Sequence, residues 1–106
     1  FNAAADYAFL AHHARKYLST HCISRSSRHI TLNAKKLNKL PLAMQRLVIR
    51  LAIEALLGHT RTITFGHVDE MIQLQQTRRQ GARIDLPKGL CAHVTPTNIK
   101  LYITNA

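Results

Sequence analysis

The chain has 106 residues, enough for one modest hydrophobic core and too few for two stable domains. Apolar residues make up 46% of it, which argues against a disordered tail, while 15 Lys and Arg against 5 acids leave a formal charge of +10. Such a surplus on a small domain points to a polyanionic partner, nucleic acid before anionic membrane. No apolar run approaches the roughly 20 residues that span a bilayer, and no charged-then-apolar leader is visible. The expectation is a cytoplasmic protein with no membrane partner. Cys22 and Cys91 are too few for a disulfide framework or a zinc cage and read as reduced thiols. Phe1 in place of an initiator Met predicts a piece of something longer.

From Ala3 to Ser19, the residues Tyr7, Leu10, Ala11, Ala14, Tyr17 and Leu18 recur at helical spacing. Thr20 to Arg28 has no period and reads as a loop, His29 to Leu32 as a brief strand. Asn33 is a good N-cap for one helical turn through Lys39. Pro41 suits the first position of the next helix, whose stripe is Met44, Leu47, Val48, Leu51, Ala52 and Ala55, ended by Gly58 in a left-handed stop. Ile49, Ile53, Leu56 and Leu57 widen that stripe to a narrow polar edge of Gln45, Arg46, Arg50 and Glu54, so this helix should be central. Thr64 caps a further helix with Phe65, Val68, Met71, Ile72 and Leu74 inward, Asp69 and Glu70 complementing its dipole, and Gly81 as terminator. The last quarter is short apolar runs separated by Pro87-Lys88-Gly89 and Thr95-Pro96-Thr97-Asn98. The fold class is α+β, mostly α: one domain over residues 1–106, with a small helical bundle over 3–80 and a short antiparallel hairpin or meander over 83–104.

The glycines are scattered and form no phosphate loop, the five acids offer no pair for acid–base work, and no serine sits in a nucleophile elbow. Seven histidines lack ligand spacing: His12 and His13 are adjacent, and His59 and His67 are separated by a turn. No catalytic residue, metal or cofactor is expected in this chain. The positive signal is basic. Lys35, Lys36 and Lys39 lie within about one turn after Arg28, Arg46 and Arg50 share a helix face, and Arg78 and Arg79 cluster with Arg83. Each has an ordinary reading as solvated charge, for Arg50 a helical pair with Glu54. Together they suit phosphate contact by counterion release. The aromatic residues follow core spacings, which disfavours a stacking platform for single strands and favours shape recognition of a structured RNA.

The segment Leu40-Pro41-Leu42-Ala43-Met44-Gln45-Arg46-Leu47-Val48-Ile49-Arg50, continuing to Gly58, resembles the "LP-x-A-x-QR … R" helix of the domain that follows the catalytic domain in bacterial tRNA(Ile)-lysidine synthetases. Thr64 to Glu70, Ile84-Asp85-Leu86-Pro87-Lys88-Gly89-Leu90 and Asn98 to Ile103 resemble later segments of that family in the same order, so the likeness runs from about Ile30 to Ile103. It implies a tRNA-positioning domain of an ATP-dependent ligase that converts the wobble cytidine of an isoleucine tRNA to lysidine. ATP and magnesium would serve the parent's amino-terminal domain, whose SGGxDS-type loop does not occur here. The partners implied are tRNA and that catalytic domain, with a homodimer left open. A stand-alone helix-turn-helix-like nucleic-acid module and a helical protein-interaction domain are the alternatives.

Overall fold

The computed structural model describes residues 3–77, 82–95 and 97–104; Arg78, Arg79, Gly81 and Pro96, named above, lie outside them. In chain order the elements are α1 (Ala3–His21), β1 (Cys22–Arg25), β2 (His29–Asn33), α2 (Ala34–Asn38), α3 (Leu42–Leu57), α4 (Phe65–Thr77), β3 (Ala82–Asp85), a 3-10 turn (Pro87–Gly89), β4 (Leu90–Val94) and β5 (Asn98–Ile103). The class is α+β with more helix than strand, as the sequence predicts.

The sheet is larger than expected. Its order is β1-β2-β5-β4-β3, antiparallel throughout. The carboxy-terminal meander β3-β4-β5 is extended by the β1–β2 hairpin, which the chain inserts between α1 and α2. The stretch read as a loop contains β1. That strand is an edge paired only with β2, it bulges between Cys22 and Ser24, and Ile23 to Arg25 are exposed, so it carries none of the alternation by which a half-buried strand is recognised.

One side of this sheet is the core. Ile30 and Leu32 on β2, Ile99 and Leu101 on β5, Leu90, Ala92 and Val94 on β4 and Ile84 on β3 form one cluster with Val48, Ile49, Ala52 and Ile53 of α3 and Val68, Met71 and Ile72 of α4. Helix α3 lies centrally as its broad apolar surface requires, packing on α1, α4, β2 and β5. The buried seam of α3 is turned slightly from the expected stripe: Ala55 is exposed and Gln45, placed on the polar edge from sequence, is only 4% exposed. The Nε2 of that amide donates to the carbonyls of Leu40 at 2.9 Å and Asn38 at 3.4 Å, closing the α2–α3 corner, while its buried Oε1 has no partner among the described residues.

The caps largely follow the sequence. Asn33 accepts from the Lys36 N–H at 2.9 Å, and Gly58 takes φ 83 at the end of α3. Pro41 sits one place earlier than expected, at the N-cap of α3. Thr64 caps α4 through its hydroxyl to the His67 N–H (3.2 Å), and His67 Nδ1 accepts the Thr64 N–H in return (2.9 Å), a reciprocal box with imidazole where Glu or Gln is usual. Three aromatic residues read as following core spacings are exposed instead: Tyr7 and Phe9 on the first half of α1, and Phe65 at the start of α4.

Candidate nucleic-acid interface

The expected basic residues fall into two groups. Lys35, Lys36 and Lys39 stand exposed on and just after α2, while Ala34 and Leu37 of the same helix are buried and anchor it. Helix α2 is bound to the sheet at the point where β2 ends and β5 begins: the Ala34 N–H donates to the Thr97 carbonyl at 2.8 Å, and Asn33 pairs with Asn98. Three ammonium groups are thus held on one short, capped helix at the sheet's end. No acid interrupts this part of the chain, for nine of the fifteen Lys and Arg residues lie between Asp6 and Glu54, a stretch without Asp or Glu. That is a concentration of positive charge along the chain suited to phosphate.

Arg46 and Arg50 belong to the helix layer and are both half-buried. Arg46 Nε meets Asp69 Oδ1 at 2.9 Å, and its guanidinium lies over the Phe65 ring, 4.7 Å from the centroid. Asp69, expected from sequence to complement the dipole of α4, lies with Glu70 beyond the first turn of that helix, too far along for that role, and is instead an ion-pair partner that bolts α4 to α3. Arg50 forms no ion pair with Glu54; its Nη2 donates instead to Thr60 Oγ1 at 3.4 Å, reaching the loop between α3 and α4. Arg46 keeps part of its guanidinium in solvent, but its charge is partly neutralised, and in this it differs from the α2 lysines. Arg78 and Arg79 lie outside the described residues.

Two further arginines were not singled out from sequence. Arg15 of α1 and Arg25 of β1 line a cleft of about 340 Å³ with Leu18, Leu51, Glu54, Ala55 and Gly58. They are ten residues apart on a helix and an edge strand, a juxtaposition that only the misread hairpin creates. At the other sheet edge, Arg83 contacts Asp85 at 3.0 Å and also donates to Cys91 Sγ at 3.5 Å. The Cys91 thiol donates to Asp85 Oδ1 at 3.2 Å. These bonds, the thiol first and the guanidinium second, hold the Asp85 carboxyl below its ordinary range, and the Cys91 thiol and the Asp85 carboxylate raise Arg83. Cys91 is buried, as a small core residue would be, yet it faces away from the helices. Among the described residues no cluster of three metal-ligating side chains forms, and no helix is long and apolar enough to cross a membrane.

The fold is a small α+β domain that carries cations on α1, α2 and α3 as well as on its strands. The model of the TilS substrate binding domain family matches residues 32–94, from the end of β2 through α2, α3, α4 and β3 to β4. The chain belongs to that family, the one that the segment from Leu40 to Arg50 resembles, and membership carries a role in tRNA substrate binding. No match to a curated protein was found.

Proposed function

We propose that this domain holds and positions the tRNA in a tRNA(Ile)-lysidine synthetase, for conversion of a wobble cytidine to lysidine by a catalytic domain elsewhere in the enzyme. The observation that carries the reading is the family match over α2, α3 and α4, the segment that also bears the exposed lysines. Lys35, Lys36 and Lys39 are assigned to phosphates, with Arg50, Arg78 and Arg79 as further contacts and Arg46 as a contact made by whatever part of its guanidinium Asp69 leaves free. ATP and magnesium act in the other domain on this reading, so none of the residues here is given a catalytic step. The domain's contribution is remote binding energy spent on proximity and orientation of the anticodon loop.

The helix-turn-helix alternative is weaker because the connection between α3 and α4 is long and α4 carries Asp69 and Glu70 in its second turn, where a groove-reading helix would meet phosphates. The test is a titration of the purified chain with an isoleucine tRNA transcript and with duplex DNA across a salt series. Binding to tRNA that weakens steeply with salt, tighter than binding to DNA and without ATP hydrolysis, is the expected result. A flat salt response or a preference for DNA would overturn the reading.

A further inference from the structure

The sheet has a second face. Because Ile84, Ala92, Leu101 and Ile30 point into the helix layer, strand alternation turns their neighbours Arg83, His93, Lys100 and Thr31 the other way. The register then does something the linear sequence conceals. Thr31 pairs with Lys100, Lys100 with His93, and His93 with Arg83, while Ser24 on β1 pairs with Thr31. One transverse row therefore crosses all five strands, roughly 19 Å at about 4.8 Å per strand. Every side chain in it has a hydrogen-bond donor or a positive charge, and Lys100 and Arg83 are exposed.

The row beside it contains His29, Tyr102, Cys91 and Asp85. Among the described residues Asp85 is the one acid on this face, it sits on the edge strand β3, and Arg83 and Cys91 already occupy its carboxylate. The β1–β2–β5 half is free of acids. It ends at Asn33 and Asn98, where α2 carries its lysines. Tyr102 stands half-buried in this half, its ring 5.5 Å from Lys100 Nζ. A face of hydroxyls, imidazoles, ammonium and guanidinium with little exposed hydrocarbon does not suit an apolar protein partner. It suits an extended polyanion with ribose hydroxyls to bond.

We infer that the outer face of the sheet, along the row Ser24, Thr31, Lys100, His93 and Arg83, is a second binding surface for the sugar–phosphate backbone of the RNA, continuous with α2. This rests on the tRNA-binding reading and deepens it by naming the surface. The backbone lies across the strands, with Lys100 at the middle of the contact and Thr31, Ser24 and His93 bonding phosphate or 2′-hydroxyl oxygens.

The experiment compares Lys100→Glu with Lys16→Glu in the whole chain. Lys16 is exposed on α1 in the helix layer, so both variants change net charge equally. Melting temperatures establish that each is folded, and Lys100→Ala serves if the reversal strains β5. The readout is affinity for a labelled isoleucine tRNA transcript across a salt series, with polyglutamate as a competitor. Lys100→Glu is expected to weaken binding about tenfold at low salt and to flatten the log–log salt slope by about one, with Lys16→Glu changing affinity far less. Equal losses in the two variants, or no loss at Lys100 while the wild type binds tRNA with a steep salt slope, would overturn the surface and leave the tRNA reading intact. Polyglutamate binding as tightly as tRNA would assign the face to an acidic protein and overturn the proposal. A wild type with no salt-dependent tRNA binding would sink the underlying reading itself.

Discussion

Arg46 and Asp69 join α3 to α4 across 2.9 Å, and the same guanidinium covers the exposed ring of Phe65. The pair is about one-third exposed, with side chains at 33% and 28%, so solvent screens it and its coupling is expected to be about 0.5–1 kcal/mol. The cation–π contact adds about as much again. Arg46→Ala should therefore cost about 1–2 kcal/mol and Asp69→Asn less. A double-mutant cycle in urea checks this; a coupling of zero would mean that the two side chains act independently. Because Asp69 already holds part of its charge, Arg46 should cost less tRNA affinity on removal than Lys35 or Lys36 does.

The Asp85 carboxyl is expected to give the protein a small acid-sensitive increment of stability. Its folded value lies below the ordinary 3.8, so the increment is present above that pH and is lost as pH falls through the depressed folded value. With the side chain 76% exposed the increment is small. Carbon-13 titration of the carboxyl should show the depressed midpoint in the wild type, a rise toward the ordinary value in Cys91→Ala, and its partial return in Cys91→Ser, which restores a donor. An unchanged midpoint in Cys91→Ala would remove the thiol as the leading cause.

Helices α1, α3 and α4 were legible because they are long enough to show a period: the spacing of Ala11, Ala14 and Leu18, or of Val68, Met71 and Ile72, is a local property of the chain. Caps were legible for the same reason, since Asn33 and Gly58 act within four residues of themselves. What escaped reading depends on how one element folds back on another. β1 becomes a strand only because β2 lies beside it. Gln45 is buried where the corner between α2 and α3 turns the carbonyls of Asn38 and Leu40 onto it, and Phe65 is stabilised in solvent by a guanidinium from another helix. The candidate surface divides along the same line. The α2 lysines are neighbours in sequence and were found there, whereas Arg83, His93, Lys100 and Thr31 are aligned by strand register alone.

Asn33 couples fold to function. Its carboxamide oxygen accepts the Lys36 N–H, one of the otherwise unpartnered donors in the first turn of a helix only five residues long. Asn33→Ala should destabilise the protein by about 1 kcal/mol. It should also loosen the positions of Lys35 and Lys36, so tRNA affinity falls although no charge has been removed. Asn33→Asp keeps the acceptor and should restore stability, but it puts a carboxylate beside the lysines and so should leave binding weak. Equal affinities for the wild type and Asn33→Ala at matched folded fraction would show that α2 need not be ordered to hold RNA.

Two left-handed residues should respond oppositely to substitution. Gly58 closes α3 at φ 83, with no atom within 4 Å of where a Cβ would stand, so Gly58→Ala meets no steric neighbour and its cost is conformational alone, about 1 kcal/mol. Lys88, in the turn between β3 and β4, holds φ 65 and ψ 30 with a side chain attached, and it already carries that cost. Lys88→Gly should therefore stabilise the fold, by about 0.5–1 kcal/mol once the greater freedom of glycine in the unfolded chain is subtracted. In a domain of this size those changes correspond to melting shifts of about 4–8 °C per kcal/mol, downward for Gly58→Ala and upward for Lys88→Gly. If Lys88→Gly lowers the melting temperature instead, its side chain contributes a stabilising contact larger than the backbone strain that it imposes on the turn.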